Sequence, residues 1–287
     1  MPSQTARPRA IFLDIDGTYA DHGLAPAVHV DAVRTARKLG HLVFVCTGRP
    51  LSMVPAHILD AGFDGTITGA GARVEVKGEI LRDARFERNL AARIVETLDA
   101  HSAAYILEAP EALHGRTGVD RRLREVLGPI FAGRPQHDGV LSTDVDPIED
   151  ILGPMQYSDD LRAISYAKIS VFDSPVPLTR LTESFGPEVG LIPSSLSALG
   201  DRAGEIFMAG THKAVGIQVV QARLGLDRAD IVAIGDSAND IEMLEYAGAG
   251  IAVEGGHPSV LAVADRTTAG PAGGGVALAF AELGLLE

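Results

Sequence analysis

Ile11-Phe12-Leu13-Asp14-Ile15-Asp16-Gly17-Thr18 is an apolar run that stops abruptly at two carboxylates, a glycine and a hydroxyl. The run reads as a buried strand delivering acidic side chains to its own C-terminal end. In an open parallel sheet that end faces the ligand crevice, so Asp14 and Asp16 are candidate chemical groups. At i and i+2 the two carboxylates share one face of an extended chain. Acids so close repel each other unless a cation or a shared proton relieves them.

Working outward, Pro26 reads as the first-turn proline of a helix over residues 26–39, stopped by Gly40. Residues 42–46 form a second continuous apolar strand that ends in Thr47-Gly48-Arg49-Pro50, and residues 51–60 read as a further helix closed by Gly62. Strand, helix, strand, helix is the rhythm of a parallel α/β sheet. The rhythm then breaks: 65–72 is glycine-rich, and 73–81 alternates around Lys77-Gly78 as a hairpin does. From Ala84 to Ala203 the pattern is looser, with helices near 90–98 and 178–184, strands near 105–107 and 167–172, and a polar loop over 134–158. The first rhythm resumes at Glu205, with helices over 212–224, 240–246, 258–263 and 276–283 and strands over 231–234 and 250–253. The expected fold is α/β: a Rossmann-like parallel sheet built from residues 1–83 and 204–287, with an α+β domain of residues 84–203 inserted into it.

Composition bounds the function. The 287 residues are 46% apolar and 22% charged, an ordinary globular balance. The formal charge of −13, from 25 Lys+Arg against 38 Asp+Glu, argues against nucleic-acid and anionic-membrane partners, which need a basic surface. A small anionic substrate stays open if cations converge locally. The single cysteine, Cys46, sits in an apolar strand and fits a reducing cytoplasm. Residues 1–9 are polar, without a signal-peptide core, and no window nears the roughly 20 apolar residues that span a bilayer. Nothing in the pattern fixes an oligomeric state.

Four segments fall at strand ends or helix starts of the same sheet. Asp14 to Thr18 is the first. Thr47-Gly48-Arg49 offers a hydroxyl and free backbone N–H groups where a helix begins, an anion cradle, although a capping threonine before a turn glycine is the plainer account. Lys213 sits near a helix N-terminus, where it opposes the macrodipole and asks for an anionic partner; most surface lysines need none. Gly235-Asp236-Ser237-Ala238-Asn239-Asp240 follows the strand over 231–234 and adds two carboxylates and an amide. Four carboxylates at one sheet edge call for a cation, and all-oxygen donors point to Mg²⁺.

The order DxDGT, TGR, Lys, GDxxND resembles the haloacid dehalogenase superfamily of phosphotransferases along the whole chain. Because the inserted lobe lies between the second and third motifs, it is similar to a type II cap. The form GDSANDIEML over 235–244, with Ala264-Asp265 followed by Gly275-Val276-Ala277, resembles the Cof-like branch with its type IIB cap. The resemblance implies Asp14 as the nucleophile that takes the phosphoryl group as an aspartyl-phosphate, and Asp16 as general acid and then base. It implies Mg²⁺ held by Asp14, the backbone carbonyl of Asp16, and Asp236, with Asp240 direct or through water. Thr47, Lys213 and Asn239, with backbone N–H groups near Gly17 and Gly48, would hold the phosphoryl oxygens.

Two positions depart from that family pattern: Tyr19 stands where many relatives have Leu, and Ala70-Gly71-Ala72 where they have Asn-Gly-Ala. Gly69-Ala70-Gly71 lacks the third glycine of a dinucleotide fingerprint, no Gly-Lys-Ser/Thr P-loop occurs, and the nine histidines lack zinc-site spacing. In the cap, His114 and Arg116 flank Gly115 and are candidates for substrate specificity against the alternative of a solvated turn. Arg49 is a third candidate, able to face the cap or to form a structural ion pair. The expectation is a cytoplasmic, Mg²⁺-dependent phosphatase that hydrolyses small phosphate monoesters, sugar or polyol phosphates, through an aspartyl-phosphate. The alternatives are a phosphomutase using the same intermediate and a non-catalytic sensor of phosphorylated metabolites.

Overall fold

The four residues of β1 (Ala10–Leu13) are all buried, Ile11 and Leu13 on one face and Ala10 and Phe12 on the other. A strand covered on both faces must be apolar throughout, which is why its sequence runs rather than alternates. The computed structural model describes residues 7–132, 147–194 and 197–287. After β1 come α1 (Ala27–Lys38), β2 (Leu42–Cys46), β3 (Gly65–Thr68) and the hairpin β4 (Arg73–Val76) and β5 (Glu79–Asp83). The middle of the chain contains α2 (Arg88–Ala100), β6 (Ala104–Glu108), β7 (Leu113–Arg116), α3 (Val119–Ala132), α4 (Pro147–Leu152) and β8 (Met155–Ser158). It continues through β9 (Lys168–Asp173), α5 (Leu178–Thr182), β10 (Val189–Pro193) and β11 (Gly204–Met208). The last part is α6 (Lys213–Leu224), β12 (Ile231–Gly235), α7 (Ile241–Tyr246), β13 (Ala249–Val253), α8 (Pro258–Val263), β14 (Arg266–Thr268) and α9 (Gly275–Glu282).

The strands form two sheets. The first runs β14-β13-β12-β1-β2-β3-β4-β5, parallel from β14 to β3 and antiparallel beyond. On one face α1 and α9 bury Val33, Ala36, Val276 and Phe280 against Ile11, Val43 and Ile234. On the other, α6 and α7 bury Ile217, Val220 and Met243 against Phe12 and Phe44, whose rings stack 4.9 Å apart. The hairpin turns at Lys77 and Gly78, both at positive φ (50° and 84°), the geometry of a two-residue type I′ turn. No helix among the described residues is long and apolar enough to cross a membrane.

The second sheet runs β10-β11-β9-β6-β7-β8. One face packs on α2 and α5 through Tyr105, Leu107, Ile169, Val171 and Ile206. Part of the opposite face packs on α3 and α4, and the rest looks across a cleft to the first sheet.

Two expectations change. The segment 51–60 is not one helix but two 3₁₀ turns, Leu51–Met53 and Ala56–Ala61. Pro55 supplies no N–H and holds Val54 extended at φ −89°, ψ 109°, so the first turn cannot continue. The return to the first unit at residue 204 is also displaced. β11 pairs antiparallel with both β9 and β10, so residues 204–208 belong to the second sheet, and the chain leaves it at Gly210, φ 76°. Much of the polar loop over 134–158 lies outside the described residues; its end forms α4 and β8.

Candidate active site

β1 and β12 are parallel neighbours, and the chain leaves both at the same edge, so Asp14 and Asp236 emerge side by side. The Asp14 N–H donates to Ile234 O at 3.0 Å and extends the ladder one residue past β1. Gly17 turns at φ 78°, and a Cβ there would stand 2.6 Å from Asp236 Oδ2, so glycine lets the two loops approach. Thr18 Oγ1 donates to Asp236 Oδ1 at 3.0 Å and fixes that carboxylate.

Close backbone packing brings α6 to the same edge. Gly71, at φ 99°, lies where a Cβ would be 2.4 Å from His212 O, so this glycine serves close packing against the start of α6. Ala70, in the Asn-Gly-Ala departure, sits at φ 53°, ψ 38°, a left-handed conformation that asparagine adopts more easily and that strains alanine by about 1 kcal/mol. Lys213, fully buried at the start of α6, donates from Nζ to Asp14 Oδ1 and Asp240 Oδ1, each at 2.6 Å. Asp240 Oδ2 in turn accepts from the backbone N–H groups of Asp236 (3.0 Å) and Ser237 (2.9 Å), and a capping box with Ser237 locks the loop.

Carboxylate oxygens of Asp14, Asp236 and Asp240 lie within 4.8 Å of one another. Burial pushes the Asp14 carboxyl up, against the pull of Lys213, and burial likewise raises Asp236. Burial alone would lower the Lys213 ammonium, but the charges of Asp14 and Asp240 outweigh it and raise it. One lysine thus faces three crowded acids, and a further cation would restore the ionised form of the buried carboxyls. The donor set is oxygen only and fits a hard divalent metal ion.

A cavity of about 340 Å³ opens between the two sheets. Asp14, Asp16, Thr47, Gly48, Arg49 and Asn239 line it from the first sheet. Thr47 is buried, with Oγ1 accepting from the Arg49 N–H at 3.1 Å, and a Cβ on Gly48 would stand 3.1 Å from Asn239 Nδ2. Lys213, Asp236, Asp240 and Gly17 do not line the cavity; Lys213 stands behind Asp14, and Gly17 lies against Asp236. Arg49 combines the two roles that the sequence leaves open. It lines the cavity and forms a bidentate pair with Asp16, Nε and Nη2 each 2.6 Å from a carboxylate oxygen.

His114 and Arg116 do not reach the cavity. Leu113 of β7 lines it, and strand alternation turns the side chains at 114 and 116 to the other face, where Arg116 pairs with Asp99 at 2.7 and 2.8 Å. The polar groups of the second sheet that do reach it are Glu108, Lys168, Ser170 and Glu205, none of them singled out from sequence. The signal was the alternation of Lys168, Ser170 and Phe172 with Ile169 and Val171, the latter pair facing the lobe's own core.

Residues 11–280 match the family model of the haloacid dehalogenase-like hydrolases. The chain belongs to that family. This haloacid dehalogenase-like hydrolase is 47% identical over 269 residues to the Bacillus subtilis protein named 5-amino-6-(5-phospho-D-ribitylamino)uracil phosphatase YitU, covering 92% of this chain and 93% of YitU. Its fold matches that of a Geobacillus kaustophilus HTA426 protein with a TM-score of 0.78 at 24% identity, covering 97% of this chain and 100% of that one. It also matches the subclass IIB sugar phosphatase BT4131, with a TM-score of 0.74 at 19% identity, covering 96% and 99%. Family and relatives together make the enzyme a phosphoric monoester hydrolase, and its fold is shared with the subclass IIB neighbour.

Proposed function

We propose that the enzyme hydrolyses a small polyol or sugar phosphate through an aspartyl-phosphate on Asp14, with Mg²⁺ as cofactor. The observation that carries this reading is Lys213 Nζ at 2.6 Å from both Asp14 and Asp240, beside a third carboxylate at the same strand edge. Asp14, the Asp16 backbone carbonyl and Asp236 are the groups to hold the metal, which when bound offsets the repulsion between a carboxylate and a phosphate. Asp240, with both oxygens already engaged, suits positioning or contact through water.

In the first half-reaction Asp14 attacks phosphorus in line with the leaving oxygen, and the P–O bond to the alcohol breaks. Lys213, Thr47, Asn239 and the N–H groups near Gly17 and Gly48 take the charge on the phosphoryl oxygens. Asp16 gives its proton to the departing alkoxide. In the second half it takes a proton from water, which attacks phosphorus and frees inorganic phosphate and Asp14. The cap over the cleft excludes bulk water.

YitU, named for a phosphoribityl compound, supports a polyol phosphate as substrate. The lone buried Cys46 supports a reducing compartment, the cytoplasm. The test is release of inorganic phosphate from a panel of sugar and polyol phosphates. Release should need Mg²⁺ and stop on chelation. An isomerised sugar phosphate would instead mark a mutase, and binding of a panel member without release would mark a sensor.

A further inference from the structure

The second sheet presents a compact polar group to the cleft. Lys168 on β9 stands opposite Glu108 on β6, and Ser170 stands opposite Glu205 on β11. Lys168 Nζ lies 3.2 Å from Glu108 Oε2, 3.1 Å from Glu205 Oε2 and 3.3 Å from Gly48 O. Two of the three ammonium N–H donors go to Glu205 Oε2 and Gly48 O, and the contact with Glu108 Oε2 is an ion pair. Ser170 Oγ donates to Glu108 Oε1 at 2.5 Å. Glu108 is 6% exposed, and its Oε2 accepts no well-formed hydrogen bond among the described residues.

The other cation of the cavity is similarly committed. Arg49 directs Nε and Nη2 to Asp16 and Nη1 to Met53 O. Apart from Asp14, the charged side chains lining the cavity are three carboxylates (Asp16, Glu108, Glu205) and two cations (Arg49, Lys168). On the second sheet two carboxylates share one ammonium, so that side of the cleft offers spare acceptors and a local excess of negative charge. The contact from Lys168 to Gly48 O places the cluster beside the Thr47-Gly48 loop, which lines the same cavity.

We propose that Glu108 and Glu205 determine specificity by accepting hydrogen bonds from the hydroxyl or amine groups of an uncharged leaving group and by repelling a second anion. This rests on the phosphomonoester reading of the same site. Selection by repulsion suits such a cavity, because a carboxylate entering it would lose its water and meet two more carboxylates. Lys168 holds the two glutamates apart and at the correct depth, as a positioning residue.

The test uses a matched pair, ribitol 5-phosphate and its terminal carboxylate analogue, 5-phosphoribonate. Dissociation constants are measured by calorimetry on the full chain carrying Asp14→Asn with Mg²⁺, so the readout does not depend on turnover. Phosphate release by the unmodified enzyme is scored separately and reports on the catalytic reading. The neutral compound should bind at least about tenfold tighter than the carboxylate. Adding Glu108→Gln or Glu205→Gln should narrow that preference about fivefold or more. Glu205 is half-exposed, so its substitution leaves a folded protein to measure even if a change at Glu108 does not. Equal affinity for the two compounds, or a preference that Glu205→Gln leaves intact, would overturn the proposal.

Discussion

Two buried lysines, each between two carboxylates, belong to opposite sides of the cleft: Lys168 lines it, and Lys213 stands behind Asp14. Lys213 is wholly enclosed, with Asp14 and Asp240 both at 2.6 Å and Asp240 pinned by backbone N–H groups. Lys168 sits at the cleft surface, 3.2 and 3.1 Å from Glu108 and Glu205, and its third contact is a carbonyl on the opposite sheet. Burying charge costs several kcal/mol per ion unless each partner is satisfied, and in the first cluster only Asp14 reaches the cleft. The more enclosed cluster suits a reaction whose charges must be held still. The open one, with Glu205 half-exposed, suits selection among leaving groups.

The largest effect that would test this division is at Asp14. Asp14→Asn should lower turnover by about 10⁴-fold or more while circular dichroism shows an unchanged fold; a near-normal rate would sink the nucleophile assignment. Next comes the direct contrast of the lysines. Lys213→Met leaves Asp14 and Asp240 uncompensated and should cost about 3–5 kcal/mol in denaturant melts without metal, partly recovered on adding Mg²⁺. Lys168→Met should cost only about 1–3 kcal/mol, unaffected by Mg²⁺, with kcat/KM down about tenfold. Equal losses, or equal rescue by the metal, would erase the distinction. The smallest effect is at Arg116, bound to Asp99 and turned from the cleft: Arg116→Ala should change kcat/KM by less than about twofold and stability by at most about 1 kcal/mol, as for an exposed ion pair.

The first sheet was readable because its central strands are covered on both faces and its motifs are contiguous. Asp14, Asp16, Thr47, Gly48 and Asn239 lie on loops following three parallel strands, and parallel order brings such loops to one edge. β14 escaped notice because it is an edge strand whose Arg266 and Thr267 are exposed, leaving no apolar run. The helix expected over 51–60 failed on Pro55, a local signal overruled by the apolar spacing around it. In the lobe, β11 was assigned to the wrong unit because strand pairing with β9 and β10 is not encoded within its own five residues. His114 and Arg116 were candidates by residue type alone, and alternation on β7 turned them away.

Local pattern thus carries the chemistry: which residues can attack, ligate or cradle a phosphate, and on which side of a strand or helix they stand. Contact geometry lies beyond it. That Lys213 bridges Asp14 and Asp240, and that Lys168 joins Glu108 and Glu205 over Gly48, depends on register between segments tens to hundreds of residues apart. Those registers are set by packing of whole sheets and helices, a property of the folded chain that no stretch of it contains.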